Sequence, residues 1–266
     1  RYSTIPRQCT IRRTEVDAVK RDEGTRADEG GKLHFLIRSA LSLLSTSVVT
    51  SGLGFVYWTV AARLFPTSEV GESATAIAAM SLIVPFTLLG FGTALVAKLP
   101  TMSSGRAQLV STAAVVCAVI AGLVALVCAL VLPTDFLGLP GIGHDFATTL
   151  IFIGGVSAHS VSMLLDASLL SVVGGGIQLR RNVVHAVVKL VLLVVFALTL
   201  SRFGALSIYT SWFIASVVSI AVVGVLLLRL SGVSVREIWP RLSSLHALRL
   251  DAVQHHVLNL SLVLPL

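Results

Sequence analysis

The sequence predicts an all-α, polytopic membrane protein: a six-helix lobe followed by the start of a seventh helix. Three observations carry that prediction. Hydrophobic residues fill 55% of the 266 positions and charged residues only 12%, where a soluble domain carries about 25% charge. Mean hydropathy is +0.91. Apolar runs of about 20 residues recur along the chain, more than a soluble core can hide. Together these exclude an ordinary soluble enzyme. The formal net charge of +7 then points to cytoplasmic loops and anionic lipid, because a nucleic-acid partner would need a basic patch on a soluble module.

Residues 1–33 alternate eight basic with six acidic side chains, from Arg1 to Lys32 and from Glu15 to Glu29, and read as a disordered cytoplasmic tail. No apolar segment with a small-residue cleavage site follows them closely, so the first long apolar run is expected to be retained as a span. Six spans are expected within residues 34–230, at about 39–62, 73–97, 108–132, 147–173, 183–201 and 205–228. Pro66-Thr67-Ser68, Pro100 to Gly105, Pro133 to Gly143 and Gly174-Gly175-Gly176 punctuate them. Connections this short favour antiparallel neighbours in a bundle. Residues 231–252 interleave Trp239, Leu242, Leu245 and Leu248 with Arg236, Arg241, His246 and Arg249. That pattern reads as an amphipathic helix on anionic lipid at the inner surface, or as a polar linker. A seventh span starts near 253 and runs to Leu266, and with Arg1 at the other end the chain is expected to be part of a longer product.

Orientation follows from the basic residues beside the spans. Lys98, Arg106, Arg180, Arg181, Arg229, Arg236, Arg241 and Arg249 share one side with the tail; Arg63 and Arg202 lie on the other. The N-terminus is therefore expected in the cytoplasm, in a multi-pass protein of the cell (inner) membrane. Tyr57, Trp58, Tyr209 and Trp212 then fall toward the outer ends of two spans, as an interfacial aromatic belt.

A charge within a span costs about 2.5 to 3.5 kcal/mol on the insertion scale, which makes each one a functional candidate. Two qualify, Asp166 in the fourth span and Lys189 in the fifth, both about 10 Å below the cytoplasmic end at about 1.5 Å per residue. Thr148, Gly155, His159, Ser162 and Asp166 share one helical face, and Arg181, His185 and Lys189 recur at steps of four. Two such stripes would line a mildly cationic cavity; an Asp166–Lys189 ion pair that only fixes packing is equally open. His159 reads first as a satisfied polar residue, and His185 as snorkelling or lipid-facing. Pro85 lies mid-span, followed by Gly90 and Gly92, and marks a kink or hinge. Gly52 and Gly54 offer a small-residue face for close helix contact.

Enzyme signatures are absent: there is no GxSxG, P-loop, HExxH or GxGxxG, and no loop long enough for a catalytic domain. Cys9, Cys117 and Cys128 form no paired or metal-binding spacing, so neither a cofactor nor a metal is expected.

The run from Gly52 to Gly71, GLGFVYWTVAARLFPTSEVG, continued by Ala74 to Leu82, resembles the first two spans of the polysaccharide-biosynthesis (oligosaccharide) flippases of the multidrug/oligosaccharidyl-lipid/polysaccharide exporter superfamily. Leu164-Leu165-Asp166-Ala167, followed by Arg180-Arg181-Asn182, is similar to that family's joint between spans four and five. The resemblance extends over about residues 38–266 and implies one lobe of a transporter of roughly 12 to 14 helices that opens alternately to each face. It further implies an undecaprenyl-pyrophosphate-linked oligosaccharide as substrate, polysaccharide polymerases as possible partners, and cationic side chains that receive the pyrophosphate. By position these are Arg63, Lys98, Arg180, Arg181 and Lys189, with Asp166 as charge partner of Lys189, and Arg63 alternatively paired with Glu69 or Glu72. A multidrug or small-cation antiporter of the same superfamily and a non-transporting membrane scaffold are the alternatives.

Overall fold

The computed structural model describes residues 47–172, 175–231 and 238–241. The tail, the seventh span and most of the linker lie outside the described residues. Those that are described are helical or in short connections, with no strand among them. In chain order the helices are α1 (described over 47–64), α2 (Thr67–Thr87), α3 (Phe91–Lys98), α4 (Arg106–Val131), the single turn α5 (Thr134–Leu137), α6 (Phe146–Val172), α7 (Gly175–Thr199) and α8 (Ala205–Ser231). Five of them, α2, α4, α6, α7 and α8, are long and apolar enough to cross a bilayer. The chain is a multi-pass membrane protein.

Small residues decide which faces meet. Ala113, Cys117, Ala121, Ala125 and Ala129 repeat every fourth residue along α4 and are all buried, so the α6 backbone can approach closely along that row. Ser157 donates to the Ala118 carbonyl across the same seam at 3.1 Å. The opposite row of α4, Val115, Val119, Leu123 and Val127, is at least 49% exposed, which suits a helix whose outer face meets acyl chains instead of water. The α4–α6, α7–α8 and α6–α8 seams are the most extensive between the helices from α2 to α8.

Glycines allow a close approach between α6 and α8. A Cβ on Gly155 would lie 2.7 Å from ring atoms of Tyr209 and closer still to its hydroxyl. Tyr209 is fully buried there, stacked on Phe152 at 5.8 Å and donating to the Phe152 carbonyl at 3.2 Å. Tyr57 is also fully buried. The expected aromatic belt is thus corrected: both tyrosines turn inward, because their hydroxyls find carbonyl and serine partners inside the bundle. Gly52 and Gly54 are corrected as well. Nothing lies within 4 Å of a Cβ at either, so no close helix contact forms at them among the described residues.

The second expected span is two helices. Pro85 sits inside α2, and the chain breaks at Leu89 (φ 48°) and Gly90 (φ 73°). Pro85 lacks the N–H that would hold the preceding turn, and the helix ends as Leu88 N–H reaches Val84 O at 3.1 Å. Gly90 adopts the left-handed region freely, whereas Leu89 does so at a cost of about 1 to 2 kcal/mol. The helix is therefore interrupted at Leu89–Gly90, four residues beyond Pro85. In the linker, residues 239–241 are not helical. Pro240 forces this, since the residue before a proline avoids the helical region, and a continuous amphipathic helix over 233–252 is excluded.

Asp145 starts α6. Its Oδ2 accepts from both the N–H and the hydroxyl of Thr148, each at 2.7 Å, satisfying a helix-start donor. These bonds hold its carboxyl below the usual 3.8. The cap's contribution is present above the unfolded value and disappears as pH falls through the lowered folded value. The protection of the Thr148 amide against hydrogen exchange, taken relative to its intrinsic rate at each pH, should accordingly hold from neutral pH down to 3.8 and fall at lower pH. Asp145→Ala should be unprotected throughout; an identical pH profile in that variant would remove the cap from the account.

Candidate functional site

The turn between α6 and α7 sets which polar groups meet. Helix α6 runs to Val172 and α7 begins at Gly175, with Gly176 also helical. Asp166 is thus six residues before one helix end and Arg181 six residues after the other start. Antiparallel helices place them at one level. Lys189 is eight residues further along α7, about 12 Å deeper at about 1.5 Å per residue.

The expected Asp166–Lys189 pair is corrected: Asp166 pairs with Arg181. Arg181 Nε donates to Oδ1 at 3.0 Å and Nη2 donates to Oδ2, a two-pronged contact of the strong, orienting kind. Arg181 Nη1 reaches Ser162 Oγ at 2.6 Å, and Nη2 also meets Asn182 Oδ1 at 2.9 Å. The Arg181 side chain is 2% exposed and the Asp166 side chain 19%. The pairing differs from expectation because the expected fifth span starts at 183, whereas α7 already begins at Gly175 and carries Arg181 on its buried face.

Lys189 is 6% exposed. Its Nζ lies 3.8 Å from the Trp212 ring centroid and 4.8 Å from that of Tyr57, and no carboxylate pairs with it among the described residues. Tyr57 Oη is fixed in turn by Ser211 Oγ at 2.9 Å and the Ile208 carbonyl at 3.2 Å. A desolvated cation–π contact is worth about 2 kcal/mol, so two rings offset about as much as insertion of one lysine costs, about 2.5 to 3.5 kcal/mol. The ammonium can therefore stay buried without a counter-ion. His185, expected at lipid, is corrected too. It packs edge-on against Trp212 at 5.9 Å and meets Ser216 Oγ at 3.3 Å. His159 is half-buried on α6.

The remaining candidates stay apart. Arg63 is exposed at the end of α1, and no ion pair joins it to Glu69 or Glu72 among the described residues. Lys98 closes α3 half-buried, and Arg180 is exposed beside its buried neighbour. No protein-family model, curated protein or solved structure matches this chain.

What the arrangement can do follows from its charges. Asp166 and Arg181 cancel, leaving Lys189 as a buried positive charge bounded by aromatic faces and by donors. Trp212 Nε1 is buried beside the Tyr57 hydroxyl and has no acceptor in good hydrogen-bond geometry among the described residues. A lysine ammonium and an indole N–H on one side chain pair suit an oxyanion or an electron-rich hydroxyl ligand. Among the described residues no three of His, Cys, Asp and Glu come together to hold a metal. Sequence reasoning found Lys189 and Arg181 but missed Tyr57, Trp212 and Ser162 as their partners. Counting Asp166 and Arg181 outward from the shortest possible turn would have found the ion pair.

Proposed function

We propose that the chain is the first lobe of a flippase for lipid-linked oligosaccharides, of the oligosaccharide flippase family in the multidrug/oligosaccharidyl-lipid/polysaccharide exporter superfamily. It is a transporter and not an enzyme, it lies in the cytoplasmic membrane with the N-terminus inside, and a second lobe completes roughly 12 to 14 helices. The anionic pyrophosphate of an undecaprenyl-linked substrate is drawn to the uncompensated charge of Lys189, while Arg63 and Lys98 mark the two mouths. One observation carries this reading: a buried lysine in the bundle interior with no carboxylate beside it among the described residues. A small-cation antiporter would want the reverse, a free acid inside, and Asp166 is already taken by Arg181. The break at Leu89–Gly90 supplies a place for one end of the lobe to move.

The test is surface polysaccharide in cells carrying the full-length protein at normal expression. Lys189→Ala should lose polymer by about tenfold or more, the loss of a charged hydrogen bond to substrate being worth at least about 1.4 kcal/mol, and Lys189→Arg should retain part of it. Normal polymer from a well-expressed Lys189→Ala protein would defeat the assignment.

A further inference from the structure

Helix α8 packs against α7, α6 and α2, yet by Ile238 the chain that leaves α8 at Ser231 is bound to the start of α4. Gln108 Nε2 donates to the Trp239 carbonyl at 3.2 Å, Ser111 Oγ donates to the Ile238 carbonyl, and Arg241 N–H donates to Thr112 Oγ1 at 3.0 Å. Thr112 spends its own hydrogen on the Gln108 carbonyl at 2.6 Å, which leaves its oxygen turned to accept. On the α4 side the three partners are side chains; on the linker side all three are main-chain groups.

The linker residues suit this role. Pro240 has a fixed φ and no N–H that would need a partner between the held Trp239 carbonyl and the held Arg241 N–H, and it keeps Trp239 out of the helical region. The Trp239 side chain is 69% exposed, so the contact is made through its carbonyl and not through its ring. Helix α4 gains in turn. Its N-cap is Gly105, which gives no side-chain cap, so the first turn lacks the stabilisation that a capping oxygen supplies. The Trp239 carbonyl brings an oxygen to that turn, at the positive end of the helix dipole.

We propose that Gln108, Ser111 and Thr112 form a docking site for a main-chain segment, that residues 238–241 of this chain are its occupant, and that the strap and the helix start open and close as one unit. Everything after Arg241 is thereby coupled to α4 instead of to α8. This coupling is independent of what the bundle transports.

Hydrogen exchange in the full-length protein in nanodiscs, taken relative to intrinsic rates, tests the coupling in both directions. Arg241→Pro removes the donated N–H and should speed exchange at residues 109–113 of α4 by about two- to tenfold, the range for loss of one hydrogen bond. Arg241→Ala keeps that N–H and should have a much smaller effect, and Trp239→Ala, which keeps the held carbonyl, should have none. Gln108→Leu/Ser111→Ala, made on the helix, should speed exchange at the Trp239 and Arg241 amides by a similar factor, because coupling between two sites is reciprocal. Residues 121–129, in the second half of α4, should not respond in any of these variants. Equal acceleration at 109–113 in Arg241→Pro and Arg241→Ala would overturn the proposal by assigning the contact to the side chain. Unchanged exchange at Trp239 and Arg241 in Gln108→Leu/Ser111→Ala would overturn it as well.

Discussion

Arg181→Ala should destabilise the bundle by about 3 to 5 kcal/mol, because it strands the Asp166 carboxylate in the interior. Asp166→Ala should cost a similar amount by leaving a guanidinium that is 2% exposed. The two losses will not add. In the double variant Arg181→Met/Asp166→Leu no buried charge is left unpaired, and replacing a buried pair by apolar residues is often neutral. Thermal unfolding in detergent or nanodiscs should therefore show the double variant well above either single variant, with a coupling on the order of 2 to 3 kcal/mol. Arg181→Lys should not rescue, since an ammonium cannot donate in parallel to both carboxylate oxygens while reaching Ser162. Independent, additive losses would mean that the pair is not closed in the membrane. Lys189 differs: among the described residues no carboxylate would be stranded by its loss, so Lys189→Met should leave unfolding nearly unchanged even where surface polysaccharide is lost.

Gly155→Ala should destabilise by about 1 to 3 kcal/mol, the usual range for overfilling a packed core. The new methyl would stand 2.7 Å from Tyr209 Cε1 and Cζ, and Tyr209 has nowhere to retreat because it is stacked on Phe152 and bonded to its carbonyl. Tyr209→Ala on top of Gly155→Ala should relieve the clash, so that the second substitution costs less than it does alone. Gly54→Ala is the control with the opposite sign. Nothing lies within 4 Å of its would-be Cβ, and alanine in a helix interior is favoured over glycine by roughly 0.5 to 1 kcal/mol. Equal effects at the two glycines would contradict the α6–α8 seam.

How much of this was legible in advance differs by level. The spans were plain, since runs of about 20 apolar residues have few alternatives in lipid. The cavity candidates were found as residue types, because a charge in such a run stands out against its neighbours. Their partners were not found. Asp166 was matched to Lys189 on the assumption that a triple glycine opens a loop, and the helix instead passes through Gly175 and Gly176, shifting every level on α7 by two turns. Tyr57 and Trp212 looked like interfacial anchors from their position in the spans, and their inward direction was set by rotations that one-dimensional patterns leave open. Pro85 was visible as a break; where it took effect depended on Leu89 and Gly90.

By itself the sequence determined that this protein crosses a membrane several times on apolar helices, and that a handful of charges lie within them. Only the tertiary structure decided that Arg181 neutralises Asp166 and that Lys189 rests between Trp212 and Tyr57 with no carboxylate beside it among the described residues. The reason is physical. Span existence depends on the summed transfer of many side chains into lipid and survives small errors of register, whereas an ion pair depends on the level and rotation of two helices. A shift of a few residues replaces one partner with another.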